Sequence, residues 1–211
     1  MFYSKKFFCY KDGIEIKKHM NELVKELFRK AIHMCTAFIP FFLVKAYVPV
    51  LVLLFCVLVF YCVAEILRFK GFNVPIISVI TATAARKRDE HKFVLGPATL
   101  ATGVLITAVL FDIKAAGIGI MALAFGDGLA SLVGKFFGRI LVPFSKGKTV
   151  GGSLTCFIAI FCSTFILCNR VDVALGIAFV GMIIELIPIK DFDNLLIPII
   201  LAAFAQFYFH I

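Results

Sequence analysis

Between Ala122 and Ser153 the chain crowds glycine, acid, base and hydroxyl residues into a sequence that is otherwise greasy. With a helix to about Arg139, two four-spaced stripes lie side by side, because residues i and i+4 share a face. Asp127, Ser131, Lys135 and Arg139 form one; Gly126, Ala130, Gly134 and Gly138 form the other. Asp127 offers the hard oxygen that Mg²⁺ takes alongside phosphate oxygens. Lys135, Arg139, Lys146 and Lys148 are phosphate-binding types. Gly151, Gly152 and Ser153 open the next apolar run, where backbone N–H groups at a helix N-terminus can receive an anion. Gly126 and Gly128 remove bulk on either side of Asp127, so that a phosphate–metal group can come close to the backbone. The small stripe also reads as ordinary packing of membrane helices, and the basic residues as a positive cytoplasmic loop. Asp127 fits neither reading, since an ionisable group inside a membrane-length segment is costly and defaults to function.

The elements that must hold these residues are apolar helices. The 211 residues are 62% hydrophobic and 17% charged, with mean hydropathy +1.02. That composition excludes a soluble domain and implies a polytopic α-helical membrane protein. The predicted fold is an all-α transmembrane bundle of about seven spans, near Met34–Ala46, Tyr47–Leu67, Leu95–Phe111, Ala115–Leu132, Ser153–Cys168, Val173–Ile187 and Leu195–His210. Val74–Ala85 is too short to cross and reads as interfacial or re-entrant. An amphipathic helix over Ile14–Ile32 precedes the spans. Ile16, Met20, Leu23, Val24, Leu27 and Ala31 share its apolar face, and Lys17, Lys18, Lys25, Arg29 and Lys30 lie largely off it, which suits a helix on the membrane surface. Residues 1–33 thus form an interfacial segment and residues 34–211 a transmembrane catalytic domain. Met1–Tyr10 lacks the features of a signal peptide. The seven cysteines show no CxxC and no pairing with histidine, and read as small apolar residues.

The net charge of +9 points to anionic partners. Nucleic acid is excluded because the basic residues sit between spans; phosphate headgroups, nucleotides and the bilayer surface fit. A cytoplasmic N-terminus puts 19 of the 22 Lys and Arg inside, leaving only Lys45, Lys114 and Arg170 outside, as the positive-inside rule requires. The chain is therefore read as a multi-pass integral membrane protein, of the inner membrane if its source is bacterial, with its active site on the cytoplasmic face. Glu65 with Arg68, the loop Arg86–Lys92, and Glu185, Asp191, Asp193 and Asn194 all gather on that same face. Arg29 and His33 lie one turn apart at the entry to the first span, either as a basic anchor or as headgroup and phosphate ligands. Polar groups at one interface suit an enzyme that joins a soluble reactant to a membrane-resident one, and not a conduction path.

There is no Ser/His/Asp spacing and no metalloprotease motif. The P-loop pattern fails as well: Gly128 to Gly134-Lys135 is one residue too long, and Val142 stands where Gly147-Lys148-Thr149 needs an earlier glycine. The inventory of one acid for Mg²⁺, several cations and glycine-rich backbone is that of phosphoryl transfer. Residue types alone do not separate kinase, phosphatase and nucleotidyltransferase.

GDGLASLVGKFFGR over Gly126–Arg139, followed by GKTVGGS over Gly147–Ser153, resembles the signature of the polyprenol kinase family, which includes dolichol, phytol and CTP-dependent diacylglycerol kinases. RKAIH over Arg29–His33 is similar to that family's RK-x-x-H element, Glu65 with Arg68 to its E-x-x-R, and Glu185 followed by Asp193-Asn194 and Pro198 to its C-terminal ending. GDGLA leans toward the phytol kinase branch, while KTVGGS departs from the KT-x-E-G of some other members. The resemblance implies transfer of the γ-phosphate of a nucleotide, typically CTP with ATP left open, to a lipid alcohol such as phytol, a polyprenol or diacylglycerol. It implies catalytic roles for Asp127, Asp193 and Glu185, with Asp127 on Mg²⁺. It implies nucleotide contacts from Lys135, Arg139, Lys148, Thr149, Gly151, Gly152, Ser153, Gly126 and Gly128. It implies headgroup or phosphate contacts from Arg29, Lys30, His33, Glu65 and Arg68. The alternatives are a phosphatidate cytidylyltransferase that makes CDP-lipid, and a non-enzymatic lipid transporter or scramblase.

Overall fold

The computed structural model describes residues 23–72, 93–143, 145, 147–188 and 192–211. Val74–Ala85, the loop Arg86–Lys92, Lys146, Asp191 and the first part of the proposed amphipathic helix lie outside them. Seven helices are described, and the one extended feature is an isolated antiparallel bridge between Leu141 and Thr149. The helices are α1 (Leu23–Lys45), α2 (Tyr47–Phe69), α3 (Leu95–Leu110), α4 (Ile113–Phe137), α5 (Val150–Cys168), α6 (Val171–Leu186) and α7 (Asp193–Phe209). Of these, α1, α2, α4 and α5 are long and apolar enough to cross a membrane; α3 and α7 are apolar but shorter. This is an integral membrane protein. Phe38, Phe41, Val52, Phe55, Val59, Phe60 and Val63 are exposed on α1 and α2, as a lipid-facing surface allows.

Tight connections fix the alternation of direction. Ala46 alone separates α1 from α2, and two residues each separate α3 from α4 and α5 from α6. At the last of these, Asn169 caps α5 in the left-handed region, φ 51°, a conformation that asparagine tolerates better than most residues. The centre of the bundle is α4. Its residues from Ala115 to Ala124 are buried without a break, and it packs against α1, α3, α5, α6 and α7.

The expected first span begins earlier than its sequence suggests. The helix that holds it, α1, runs from Leu23 to Lys45, tightening to a 3₁₀ turn over Thr36–Phe38. Pro40 causes that turn, because it has no N–H to give the carbonyl of Thr36. More consequential is the direction in which α1 faces. Val24, Leu27 and Phe28 are exposed, while Lys30 and His33 are buried and Glu26 and Arg29 are largely covered. In the described part of this stretch, the side that carries Glu26, Arg29, Lys30 and His33 meets the bundle.

Glycine lets backbones meet where α7 crosses α3 and α4. A Cβ on Gly103 would lie 2.4 Å from the carbonyl oxygen of Asn194, the carbonyl that Pro198 leaves without its helical donor. A Cβ on Gly119 would lie 2.2 Å from the carbonyl oxygen of Pro198 and 3.0 Å from Ala202 Cβ. Asn194 Nδ2 donates to Gly96 O at 3.2 Å and to Thr99 Oγ1 at 3.3 Å, fastening the start of α7 to the start of α3. Gly119→Val is therefore expected to force α4 and α7 apart and to lower the melting temperature in detergent, with a loss of about 1–3 kcal/mol or more. Gly151→Ala, which meets nothing within 4 Å, is the matched control and should melt like the parent.

Candidate active site

Six helices and one short return converge on a cavity of about 470 Å³ at one end of the bundle. The start of α1, the starts of α3, α5 and α7, the last turns of α4 and α6, and the strand-like return at Gly147–Thr149 all contribute to its lining. Four cations, Arg29, Lys30, Lys135 and Lys148, and four carboxylates, Glu26, Asp127, Glu185 and Asp193, line it together.

Asp127 ends a π-helical turn, Ala122–Asp127, after which α-helix resumes at Gly128. Such turns reset the facing of a helix and favour functional sites. The turn leaves Asp127 buried, and its partner is Lys30: the ammonium donates to Asp127 Oδ2. His33 Nδ1 lies 3.4 Å from the same oxygen. An uncompensated carboxylate at this depth would be expensive, and α1 supplies the compensation. Asp127, Ser131 and Lys135 do share one face, as their spacing requires, and all three line the cavity. Arg139 does not join them. Gly138 leaves the helix at ψ 113°, so Arg139 falls beyond the last turn and stays exposed outside the cavity.

Glu26, which the sequence reading passed over, organises the mouth. Its Oε1 accepts from Arg29 Nη2 at 2.5 Å and from Ser131 Oγ at 2.8 Å, and its Oε2 lies 3.7 Å from Lys135 Nζ. The signal was present: Glu26, Arg29, Lys30 and His33 fall at i, i+3, i+4 and i+7, one helix face.

Across the cavity, Lys148 Nζ lies 2.9 Å from Glu185 Oε1. Lys148 is presented by a short return in which Val142 N–H donates to Lys148 O at 2.8 Å and Val150 N–H to Ile140 O at 2.9 Å. Gly147 turns the chain there at φ +101°, a conformation open to glycine and strained for other residues. Thr149 caps α5, accepting from Gly152 N–H at 3.1 Å. With the N–H groups of Val150 and Gly152 already engaged, little of the expected anion site at this helix start remains. Thr149, Gly152 and Ser153 line the cavity, and Gly151 does not.

The other glycines serve packing. A Cβ on Gly126 would meet Ile160 at 2.7 Å, one on Gly128 would meet Met34 at 3.2 Å, and one on Gly134 would meet Thr149 Oγ1 at 3.0 Å. The open approach to Asp127 that Gly126 and Gly128 suggested is therefore filled by neighbouring helices. Glu65 and Arg68 also stand apart from the cavity lining. Arg68 clasps Glu65 through two hydrogen bonds of 2.8 and 2.7 Å, and Glu65 Oε1 accepts from Val94 N–H at 2.9 Å, which ties α2 to the entry of α3.

Two groups in the cavity are short of partners among the described residues. Glu185 Oε2 and Ser153 Oγ are buried with no hydrogen bond. Among the described residues, Asp193 accepts one hydrogen bond, from the N–H of Asn194 at 2.9 Å, and forms no ion pair. No cluster of three His, Cys, Asp or Glu residues with metal-holding geometry occurs among the described residues. A nucleotide-borne Mg²⁺ does not require one, because it takes one or two carboxylates plus phosphate oxygens and waters. The orphaned oxygen of Glu185 and the carboxylate of Asp193, both lining the cavity, are a donor set of that kind.

No family model and no solved structure matches the chain. Curated proteins do. The chain is 30% identical over 182 residues to the "Uncharacterized protein MJ1137" of Methanocaldococcus jannaschii, covering 85% of this chain and 92% of that protein. It is 30% identical over 167 residues to a probable chloroplastic phytol kinase of Triticum aestivum, covering 69% of this chain and 55% of that one. It is 28% identical over 162 residues to chloroplastic phytol kinase 1 of Arabidopsis thaliana, covering 67% and 53%. The chain spans about half the length of these plant relatives. It belongs to one family with the archaeal protein, and over about two thirds of its own length it is similar to the phytol kinases.

Proposed function

We propose that the protein is a membrane lipid kinase that transfers the γ-phosphate of a nucleotide, CTP before ATP, to a lipid alcohol at the cytoplasmic face. The observation that carries this reading is the cavity itself: four cations, each paired with a carboxylate, surround a space large enough for a polyphosphate. The relatedness to phytol kinases supports the same chemistry. In this reading all seven helices span the membrane, and Lys45, Lys114 and Arg170 mark the outer side.

Lys148, Lys135, Arg29 and Lys30 contact the phosphates. Carboxylates hold their side chains in the cavity before the nucleotide arrives, so little ordering remains for the binding step. Mg²⁺ would be held by Glu185 and Asp193 and would spread the charge on the transferring group. In the transfer, the alcohol oxygen bonds to the γ-phosphorus, the bond from that phosphorus to the β–γ bridging oxygen breaks, and a nucleoside diphosphate leaves. The hydroxyl proton passes to a carboxylate of the cavity.

The direct test uses purified protein in detergent with Mg²⁺, CTP or ATP, and a panel of phytol, polyprenol and diacylglycerol. The expected products are a phosphorylated alcohol and a nucleoside diphosphate; CDP-lipid with pyrophosphate, or no nucleotide consumption, would refute the kinase reading. Asp193→Asn breaks no ion pair among the described residues. It should elute and melt like the parent while kcat falls by roughly 10²–10³, the scale of a lost electrostatic contact to a transition state. Lys148→Met should raise the nucleotide KM or abolish turnover, while Lys45→Met, at the far end of the bundle, should do neither. Topology is checked by labelling sealed cells from outside. A cysteine at Arg139 should stay unlabelled and one at Ile211 should react. Labelling at Arg139 would place the cavity on the wrong side for a soluble nucleotide.

A further inference from the structure

A second cavity, of about 650 Å³, lies at the opposite end of the bundle. The end of α1, the start of α4, the end of α5 and the residues that follow α7 line it. Its apolar part is built by Pro40, Phe41, Val44, Ile118 and Leu167. Phe41 and Val44 are exposed, so in a membrane this part faces hydrocarbon. Its polar part is cationic. Lys45, Lys114 and Arg170 all line it, and among the described residues no aspartate or glutamate does. These are the three basic residues that the charge count leaves on the outer side, and three distant stretches of chain bring them to one place. Arg170 is engaged: its Nη2 donates to Asp172 Oδ2 at 2.5 Å and its Nη1 to Phe209 O at 3.4 Å. Lys45 and Lys114 are exposed and have no carboxylate partner among the described residues.

We propose that this cavity binds an anionic phospholipid, with its phosphate at Lys45 and Lys114 and an acyl chain along Phe41 and Val44. Ammonium groups are phosphate donors, and lysine stems lie along apolar surface while their heads reach the interface. Like charges gathered in one cavity repel. An anion between them removes that cost, and the described protein supplies none to the two lysines. The occupant must be anionic at one end and apolar beyond it. A soluble phosphate meets only the first condition and an uncharged lipid only the second. A zwitterionic headgroup brings its own ammonium to the lysines, so a headgroup of net negative charge is favoured. Basic residues are disfavoured on the outer side, and the convergence of three of them on one cavity separates this site from scattered interfacial anchors. The binding chemistry stands apart from the lipid kinase reading; only the leaflet, the outer one, follows from the topology given there. With the phosphate at the opposite end from the polar cavity, the lipid ties α1 to α4 and acts on stability, not on nucleotide binding.

Native mass spectrometry of the detergent-purified protein measures lipid retention directly. Phosphatidylglycerol should bind and raise the melting temperature. Phosphatidylcholine with the same chains should bind about fivefold more weakly or worse, and inorganic phosphate should not displace the bound lipid. Lys114→Gln, at an exposed residue, should weaken phosphatidylglycerol binding by about fivefold, the scale of one lysine near an anionic headgroup. Lys45→Gln and Lys114→Gln together should weaken it further, by about twentyfold if the two contacts add. Lys70→Gln, at an exposed lysine outside both cavities, should bind the lipid like the parent. Equal retention of the two lipids would overturn the proposal. So would an equal loss in Lys70→Gln, which would mean diffuse surface charge, and a loss in Lys135→Gln with none in Lys114→Gln, which would put the lipid in the polar cavity. Displacement by inorganic phosphate would make this a site for a soluble anion and overturn it as a lipid site. None of these readouts uses turnover, so selective retention in a protein that phosphorylates no alcohol would sink the kinase reading and leave the lipid site standing.

Discussion

A carboxylate and an ammonium buried together near the end of a membrane bundle constrain everything around them. Neither Lys30 nor Asp127 can be left alone at that depth, because an unpaired charge in an apolar interior is far more expensive than a pair. Asp127 is placed by α4, the central helix, so α1 has to bring Lys30 to it. Doing so turns one polar face of α1 inward, and Glu26, Arg29 and His33 arrive with Lys30. The apolar side of α1 is then left facing lipid. One long-range pair, 97 residues apart in sequence, thereby sets the rotation of a helix and the composition of a cavity.

The rest of the bundle makes that arrangement possible through small residues. Gly103 and Gly119 let α3 and α4 lie against the backbone of α7, which brings Asp193 to the cavity from one side. Gly126, Gly134 and Gly152 let α4 and α5 close on each other, which brings Ser153 and the Lys148 return from the other. The chain divides its labour along the membrane normal. Backbone-to-backbone packing holds the middle, and ion pairs hold the cavity end.

Much of this is legible in the sequence, and the parts that are not have physical reasons. Apolar length gave the helices, and the spacing of Asp127, Ser131 and Lys135 gave their shared face. Arg139 was lost from that face because the glycine before it ended the helix, which an i+4 pattern cannot register. The small stripe was readable as helix packing or as room for a ligand, and only the presence of Ile160, Met34 and Thr149 opposite its glycines decides for packing. The apolar side of α1 looked like a membrane-surface helix because periodicity reveals that a helix has two faces, and not which of them meets protein. In a membrane the usual assignment inverts: the apolar face goes to lipid and the polar face to the interior. Glu26 would have come to light under that inversion, from its spacing to Arg29, Lys30 and His33 alone.

The account turns on whether the Lys30–Asp127 pair sets the seat of α1, and a double-mutant cycle measures this directly. Lys30→Met, Asp127→Leu and the two together are compared with the parent by thermal unfolding in detergent. Each single change leaves a buried charge without its partner and should destabilise by about 3–5 kcal/mol. The double variant replaces the pair with apolar side chains and should be more stable than either single one. Losses that simply add would mean that the two charges act independently, and would contradict the claim that their pairing orients α1 and builds the cavity.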